Sequence, residues 1–274
     1  MSEEIKRPAI NVPHAMMASV AVNGALGFSM LIVELFYLGN ADAILNTPLG
    51  FPFMALFQQT VGENAGAVVM VALVFVLVMC ATVSCIATAS RLTWAFARDR
   101  GLPGWSIWSR VEKRTMVPLL SVALVALVAV ILSFIGFGST LAFNIVVSLT
   151  VANLYSSYLI GNSLLLWRRI MGHVEPYNPD ETDIVNTIGA SRLTWGPWKI
   201  PGVLGIINNV IGCIYLLVVL VFSFFPSAVS PDVTTMNWSV LLAGAIAIIS
   251  LAYYFAFGRR SYKGPIVETT GDGY

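Results

Sequence analysis

Residues 115–167 read TMVPLLSVALVALVAVILSFIGFGSTLAFNIVVSLTVANLYSSYLIGNSLLLW, with no charged side chain between Arg114 and Arg168. A helix rising ~1.5 Å per residue crosses the roughly 30 Å hydrocarbon core of a bilayer with about 20 apolar residues. The stretch is more than twice that length, too long for one crossing. The polar, glycine-bearing segment Gly136-Phe137-Gly138-Ser139-Thr140 divides it. The reading is two consecutive membrane helices, over about 119–136 and 141–167.

Four further segments of the same kind flank this pair: about 15–38, 65–90, 202–225 between Pro201 and Pro226, and 238–257, which ends at Arg259-Arg260. The whole composition agrees. Of 274 residues, 57% are hydrophobic, 11% are charged, and the mean hydropathy is +0.81. A soluble domain carries about 25% charged residues, so a soluble globular protein is excluded. A disordered chain would be polar, and a nucleic-acid binder would be basic, whereas the net charge here is +1. Backbone groups in lipid must be satisfied within the segment, so the spans are helices, and the alternating pattern of a β-barrel is absent. Cys80, Cys85 and Cys213 fall inside apolar runs and read as small buried hydrophobes. The charged start, Met1-Ser2-Glu3-Glu4-Ile5-Lys6-Arg7, predicts no cleavable signal peptide.

Charge placement orders the spans. With six crossings, all 15 Lys and Arg residues fall on one side, and the opposite loops near 39–64, 136–140 and 226–237 carry none. A miscounted span would scramble that segregation. By the positive-inside rule the basic side is cytoplasmic, which places both termini there. Residues 1–266 then form the membrane domain and 267–274 a cytoplasmic tail. Trp105, Trp108, Trp167, Trp195 and Trp198 sit at the basic boundary, as an aromatic belt does. In the loop 43–62, Phe53, Leu56 and Phe57 follow Pro52 at helical spacing and predict a short helix, either an outer lid or a helix lying on the membrane surface.

Polar residues inside spans face other helices or water. Asn144, Ser148, Tyr155 and Asn162 share a narrow arc of the fourth span at 100° per residue, while Thr150, Asn153 and Ser157 occupy another face. Ser84, Thr88 and Arg91 stand at i, i+4 and i+7 on the second span. Such groups line a substrate pathway, hydrogen-bond neighbouring helices, or bond back to the preceding turn. On the fifth span, Asn208, Gly212 and Tyr215, with Gly205 close by, read as a packing face. Glu34 is the one carboxylate well inside a span, about a turn from its outer end. His14 and His173 are isolated near the basic side and read as surface residues. No nucleophile–base pair, phosphate loop or metal-ligand cluster is visible, so no enzyme, metal or cofactor is expected.

The second span runs into Ser90-Arg91-Leu92-Thr93-Trp94-Ala95-Phe96-Ala97-Arg98-Asp99-Arg100-Gly101-Leu102-Pro103. Arg91, Trp94 and Arg98 lie on one face, with Gly101 and Pro103 as helix terminators. Arg91 or Arg98 can pair with a carboxylate elsewhere, gate an opening, or anchor the helix at the headgroups. This segment closely resembles the inner end of transmembrane helix eight in amino acid permeases of the amino acid–polyamine–organocation superfamily. Ser2-Glu3-Glu4-Ile5-Lys6 and Val12-Pro13-His14-Ala15-Met16 resemble that family's link between helices six and seven. Trp195-Gly196-Pro197-Trp198, with Asn208 and Asn209 following, resembles the approach to helix eleven. Phe225-Pro226, Met236-Asn237-Trp238 and Tyr262-Lys263-Gly264-Pro265 resemble the tail of a fungal subfamily described as choline, γ-aminobutyrate or general amino acid permeases.

The resemblance implies an all-α fold equivalent to helices seven to twelve, the C-terminal half of a five-plus-five inverted-repeat secondary transporter. It also implies that the first repeat and the broken helices one and six, which build most of the substrate site in that fold, are not in this chain, and that Met1 aligns with an internal position of the family. The expected function is transport of amino acids or related amines across a plasma or vacuolar membrane, with a proton as the family's usual coupling ion. Ser84, Thr88, Asn144 and Ser148 are the expected pathway residues; Arg91, Arg98 and Asp99 are the expected inner gate. The competing expectation is a truncated, non-transporting fragment, or a half that needs a partner chain supplying the other helices.

Overall fold

The computed structural model describes residues 5–39, 41–45, 47, 51–62, 64–177, 193–226, 232, 236–262 and 264. Ser2-Glu3-Glu4, Arg192, Lys263, Pro265 and the tail 267–274, all used in reading the sequence, lie outside them. The chain forms two compact units, Met1–Ala87 and Thr88–Tyr274. Among the described residues, six helices are long and apolar enough to cross a membrane.

In the first unit, α1 (Pro8–Phe36) begins seven residues before the apolar span. Pro8 occupies the first helical turn, where its missing N–H is no loss. Pro13 lies inside the helix and lacks the N–H that would bond the Ala9 carbonyl, so hydropathy alone places the start too late. Glu34 is half-buried near the far end, and His14 is exposed. Two short helices follow, α2 (Ala41–Leu45) and α3 (Pro52–Val61). The latter is the helix predicted after Pro52: Leu56 and Phe57 are buried, and the Phe53 and Phe57 rings meet edge-on at 5.8 Å.

The helix α4 (Asn64–Arg98) is 35 residues long and continues eight residues past the predicted span. Its last two turns are amphipathic, which a hydropathy window does not register. The end is a left-handed cap of the Schellman type, in which Gly101 N–H bonds the Phe96 carbonyl and Arg100 N–H bonds the Ala97 carbonyl, both at 2.9 Å. The left-handed residue is Arg100, with φ of 63°, and not Gly101 as the sequence suggests. Cys80 and Cys85 are exposed, contrary to the sequence reading, and Cys213 is half-buried. The two exposed thiols lie on a stretch of α4 with almost no buried side chain.

The second unit continues with α5 (Trp105–Trp108), α6 (Leu119–Gly138) and α7 (Thr140–Ile170). The predicted break of five residues is in fact one, Ser139. Its backbone is extended, and its hydroxyl accepts the Ala142 N–H at 3.2 Å, capping α7. Buried Ser121 donates to the Trp108 carbonyl at 2.8 Å and ties α5 to the start of α6. Beyond α7 the sequence predicts a connection on the basic side with no strand, but Val174–Glu175 (β1) and Leu193–Thr194 (β2) form a two-residue parallel pair. Then come α8 (Gly202–Ser223), α9 (Ser239–Tyr253), a π-helical turn (Tyr254–Gly258) and α10 (Arg259–Ser261). Asn237 joins α8 to α9: its amide donates to the Ser223 carbonyl at 2.9 Å and accepts the Ser239 N–H at 3.1 Å.

Helix α7 packs most extensively on α8, and also on α6 and α9. The large apolar side chains of the long helices are mostly exposed; Phe75, Leu204 and Ile248 are examples. Lipid or further helices must cover them, since each large apolar side chain left in water forgoes about 1.5–3 kcal/mol of burial. Hydroxyls on these helices mostly bond back one turn, as Thr82 does to Val78 and Thr150 to Val146, which satisfies them inside lipid.

Candidate functional site

Of the four expected pathway residues, two lie on α4 and two on α7. Ser84 and Thr88 lie toward the basic end of α4, both exposed, and the Ser84 hydroxyl donates to the Cys80 carbonyl at 3.1 Å. Asn144 and Ser148 lie at the far end of α7, exposed and half-buried respectively. Asn162 shares their arc but is spent on packing, as described next. The expected gate residues gather at the end of α4. Arg98 Nε lies 3.6 Å from Asp99 Oδ1, and the guanidinium stands 5.2 Å from the centre of the Trp94 ring. Trp94 Nε1 donates to the Ser109 carbonyl at 3.0 Å. Arg91, a turn earlier, is exposed.

The same region is joined to the end of the chain. The Phe96 and Tyr262 rings meet edge-on at 5.8 Å, and the Ser261 hydroxyl is 3.5 Å from the Arg100 carbonyl. Arg100 stacks over Trp105 at 4.8 Å. A Cβ on Gly101 would run into the Phe96 ring, so glycine serves close approach there and not a positive φ.

A polar cluster between α7 and α8 was not predicted. Arg169, in the last turn of α7, donates from Nη1 to the Gly205 carbonyl and the Asn209 side-chain oxygen, both at 2.5 Å, and from Nη2 to the Ile200 carbonyl at 2.9 Å. Its guanidinium stacks over Trp195 at 4.4 Å. Asn209 is buried and returns a bond to Asn162 Oδ1 at 2.7 Å; Asn162 Nδ2 reaches the Asn209 carbonyl at 3.1 Å and Cys213 Sγ at 3.3 Å. Gly205 and Gly212 let α8 come this close. A Cβ on the first would lie 2.6 Å from Arg169 Nη2, and on the second 3.0 Å from Asn162 Nδ2.

The packing face of α8 is therefore Gly205, Asn209 and Gly212, at i, i+4 and i+7, while the predicted Asn208 and Tyr215 are exposed. Asn208 is 100° from Asn209, enough to turn it off the contact. The sequence signal for this face was two glycines seven apart with an Asn between them; nothing marked Arg169 out from the other basic residues. The cluster holds two helices together, and its donors are met by neutral acceptors. Among the described residues, no group of three or more His, Cys, Asp or Glu could hold a metal. His173 is exposed, edge-on to Trp167 at 6.1 Å.

Six apolar helices, hydroxyls bonded back into their own turns and a polar clamp between consecutive helices define a multi-pass integral membrane protein. Residues 1–248 match the family model described as amino acid permease, and the chain belongs to that family, one of transporters and not enzymes. It is 27% identical over 269 residues to an uncharacterised amino-acid permease of Schizosaccharomyces pombe, a match covering 98% of this chain and 46% of the relative. It is 25% identical to amino-acid permease 2 of Neurospora crassa, covering 98% and 45%, and 24% identical to the choline transporter of Saccharomyces cerevisiae, covering 96% and 43%. The chain thus spans about half the length of the curated relatives it matches. No solved structure matches it significantly.

Proposed function

We propose that this chain is the helical body of a secondary permease that moves amino acids or related amines, with choline, γ-aminobutyrate and polyamines in the same class, across a plasma or vacuolar membrane. The observation that carries the reading is the permease family match over residues 1–248. Both termini face the cytoplasm, because all 15 basic residues fall on one side of six spans. Ser84, Thr88, Asn144 and Ser148 line the pathway. Arg91, Arg98 and Asp99 form the inner gate, with the Arg98–Asp99 pair and the Trp94 ring as its supports. The usual energy source in the family is a proton.

The relatives' length favours a second reading, in which these six helices work only with a further set of helices, in the same polypeptide or a partner chain. The exposed amides Asn144 and Asn153, on two faces of α7, need protein or water beside them in a membrane. The experiment is uptake of labelled amino acids, choline and γ-aminobutyrate in yeast lacking its own permeases. The chain is expressed alone and together with the N-terminal half of a relative. Uptake that needs the second half supports the second reading; uptake by the chain alone supports the first. No uptake in either case, with both proteins in the membrane, refutes transport.

A further inference from the structure

At the basic end of α7 and α8 an open cleft of about 330 Å³ lies between Arg169, Trp195, Lys199 and the first turn of α8. Among the described residues, no acidic side chain lines it. Among the described residues, Arg169 is hydrogen-bonded to neutral acceptors, two of them carbonyls and one an amide. These bonds use three of its five N–H groups, and among the described residues no carboxylate touches its charge. Lys199 is half-buried, and among the described residues it has no hydrogen-bond or ion-pair partner. The first turn of α8 adds to the field. Its N-cap is Pro201, which supplies no side-chain acceptor, and its first turn has no acid, so free N–H groups and the positive end of the helix dipole meet the same space.

Two cations, an uncapped helix start and a tryptophan wall make a concave positive site, which the orientation proposed above puts on the cytoplasmic side. We propose that this cleft binds a phosphate group, carried there by an anionic lipid of the cytoplasmic leaflet. Basic pockets between membrane helices on that side suit such headgroups, and a helix start suits phosphate oxygens. Lys199 supplies the direct charge-assisted bond. Arg169 contributes long-range attraction while its hydrogens stay with α8. Trp195 gives the acyl–headgroup boundary an apolar wall and stands as a fluorescent reporter.

The test uses the purified full chain in neutral detergent. Its probes are dioctanoyl phosphatidylinositol 4-phosphate, dioctanoyl phosphatidylcholine and inorganic phosphate. Binding is read by native mass spectrometry and tryptophan fluorescence. The expected result is retention of the anionic lipid and not of phosphatidylcholine. Lys199→Ala should weaken it about fivefold and Lys199→Glu more, from roughly one favourable charge contact. Lys113→Glu makes the same charge change outside the cleft and should leave binding unaltered. Lys199 makes no hydrogen bond or ion pair among the described residues, so an unchanged melting temperature checks that its variants fold. Competition by millimolar inorganic phosphate would assign the site to free phosphate; retention of lipid without such competition assigns it to the headgroup. Equal weakening by Lys199→Glu and Lys113→Glu, or no binding of any probe, would overturn the proposal.

Discussion

The polar clamp between α7 and α8 makes a quantitative prediction. Asn209 is 6% exposed, and its side chain makes two bonds, one from Arg169 and one to Asn162. Replacing it by Ala removes both and leaves its backbone carbonyl in place for Asn162. Side-chain hydrogen bonds between membrane helices average about 0.6 kcal/mol and reach about 1.7. With the neutral bond near the average and the guanidinium bond near the upper value, Asn209→Ala should cost about 1–2.5 kcal/mol before any cavity term. A double-mutant cycle separates the parts. Asn162→Ala and Asn209→Ala share one side-chain bond, so their coupling should be about 0.6–1.7 kcal/mol. The measurement is unfolding in mixed micelles by titration with dodecyl sulfate, followed by tryptophan fluorescence. A coupling below about 0.3 kcal/mol, the level expected of independent sites, would refute the clamp as an energetic link.

Two other outcomes follow from the same contact. Arg169→Lys keeps the charge but loses the fork that reaches three acceptors and the flat face over Trp195; a loss of about 1–2 kcal/mol in the same titration is expected, because a point ammonium replaces neither. Gly205→Ala should destabilise by about 1–3 kcal/mol, since the new methyl meets the rigid Ile200 carbonyl as well as Arg169, whereas Gly244→Ala, with nothing within 4 Å, should be neutral or stabilise by up to about 1 kcal/mol. Equal melting temperatures for these two glycine variants would count against the packing described.

Hydropathy and charge carry the architecture because lipid imposes a one-dimensional rule: apolar length sets the spans, and basic residues set the sides. That is why the six helices were legible. Features that depend on atoms meeting across helices were not. Asn208 and Asn209 are indistinguishable in sequence, and only the register of α8 on α7 buries the second. Arg169 looks like a boundary cation, and its role depends on Trp195 and Ile200 folding back beside it. The left-handed conformation falls on Arg100, although the adjacent glycine is the residue that ordinarily takes it; the Trp105 ring beneath its side chain offsets part of that cost. At the expected gate, Arg98 and Asp99 approach each other as sequence neighbours, a contact that helical spacing does not single out. The two-residue β-pair has no periodicity long enough to detect.

Ser139 has a bearing on how the protein is made. It is the single non-helical residue between α6 and α7, and there is no hydrophilic loop between those helices to be carried through a translocon. The two must enter the bilayer together as a hairpin, with their backbone bonds closed as they go. The later helix, studded with Asn and Ser and less apolar than α6, can draw part of its insertion free energy from the neighbour that precedes it. A polar lesion in the middle of α6 is therefore a lesion in the biogenesis of α7.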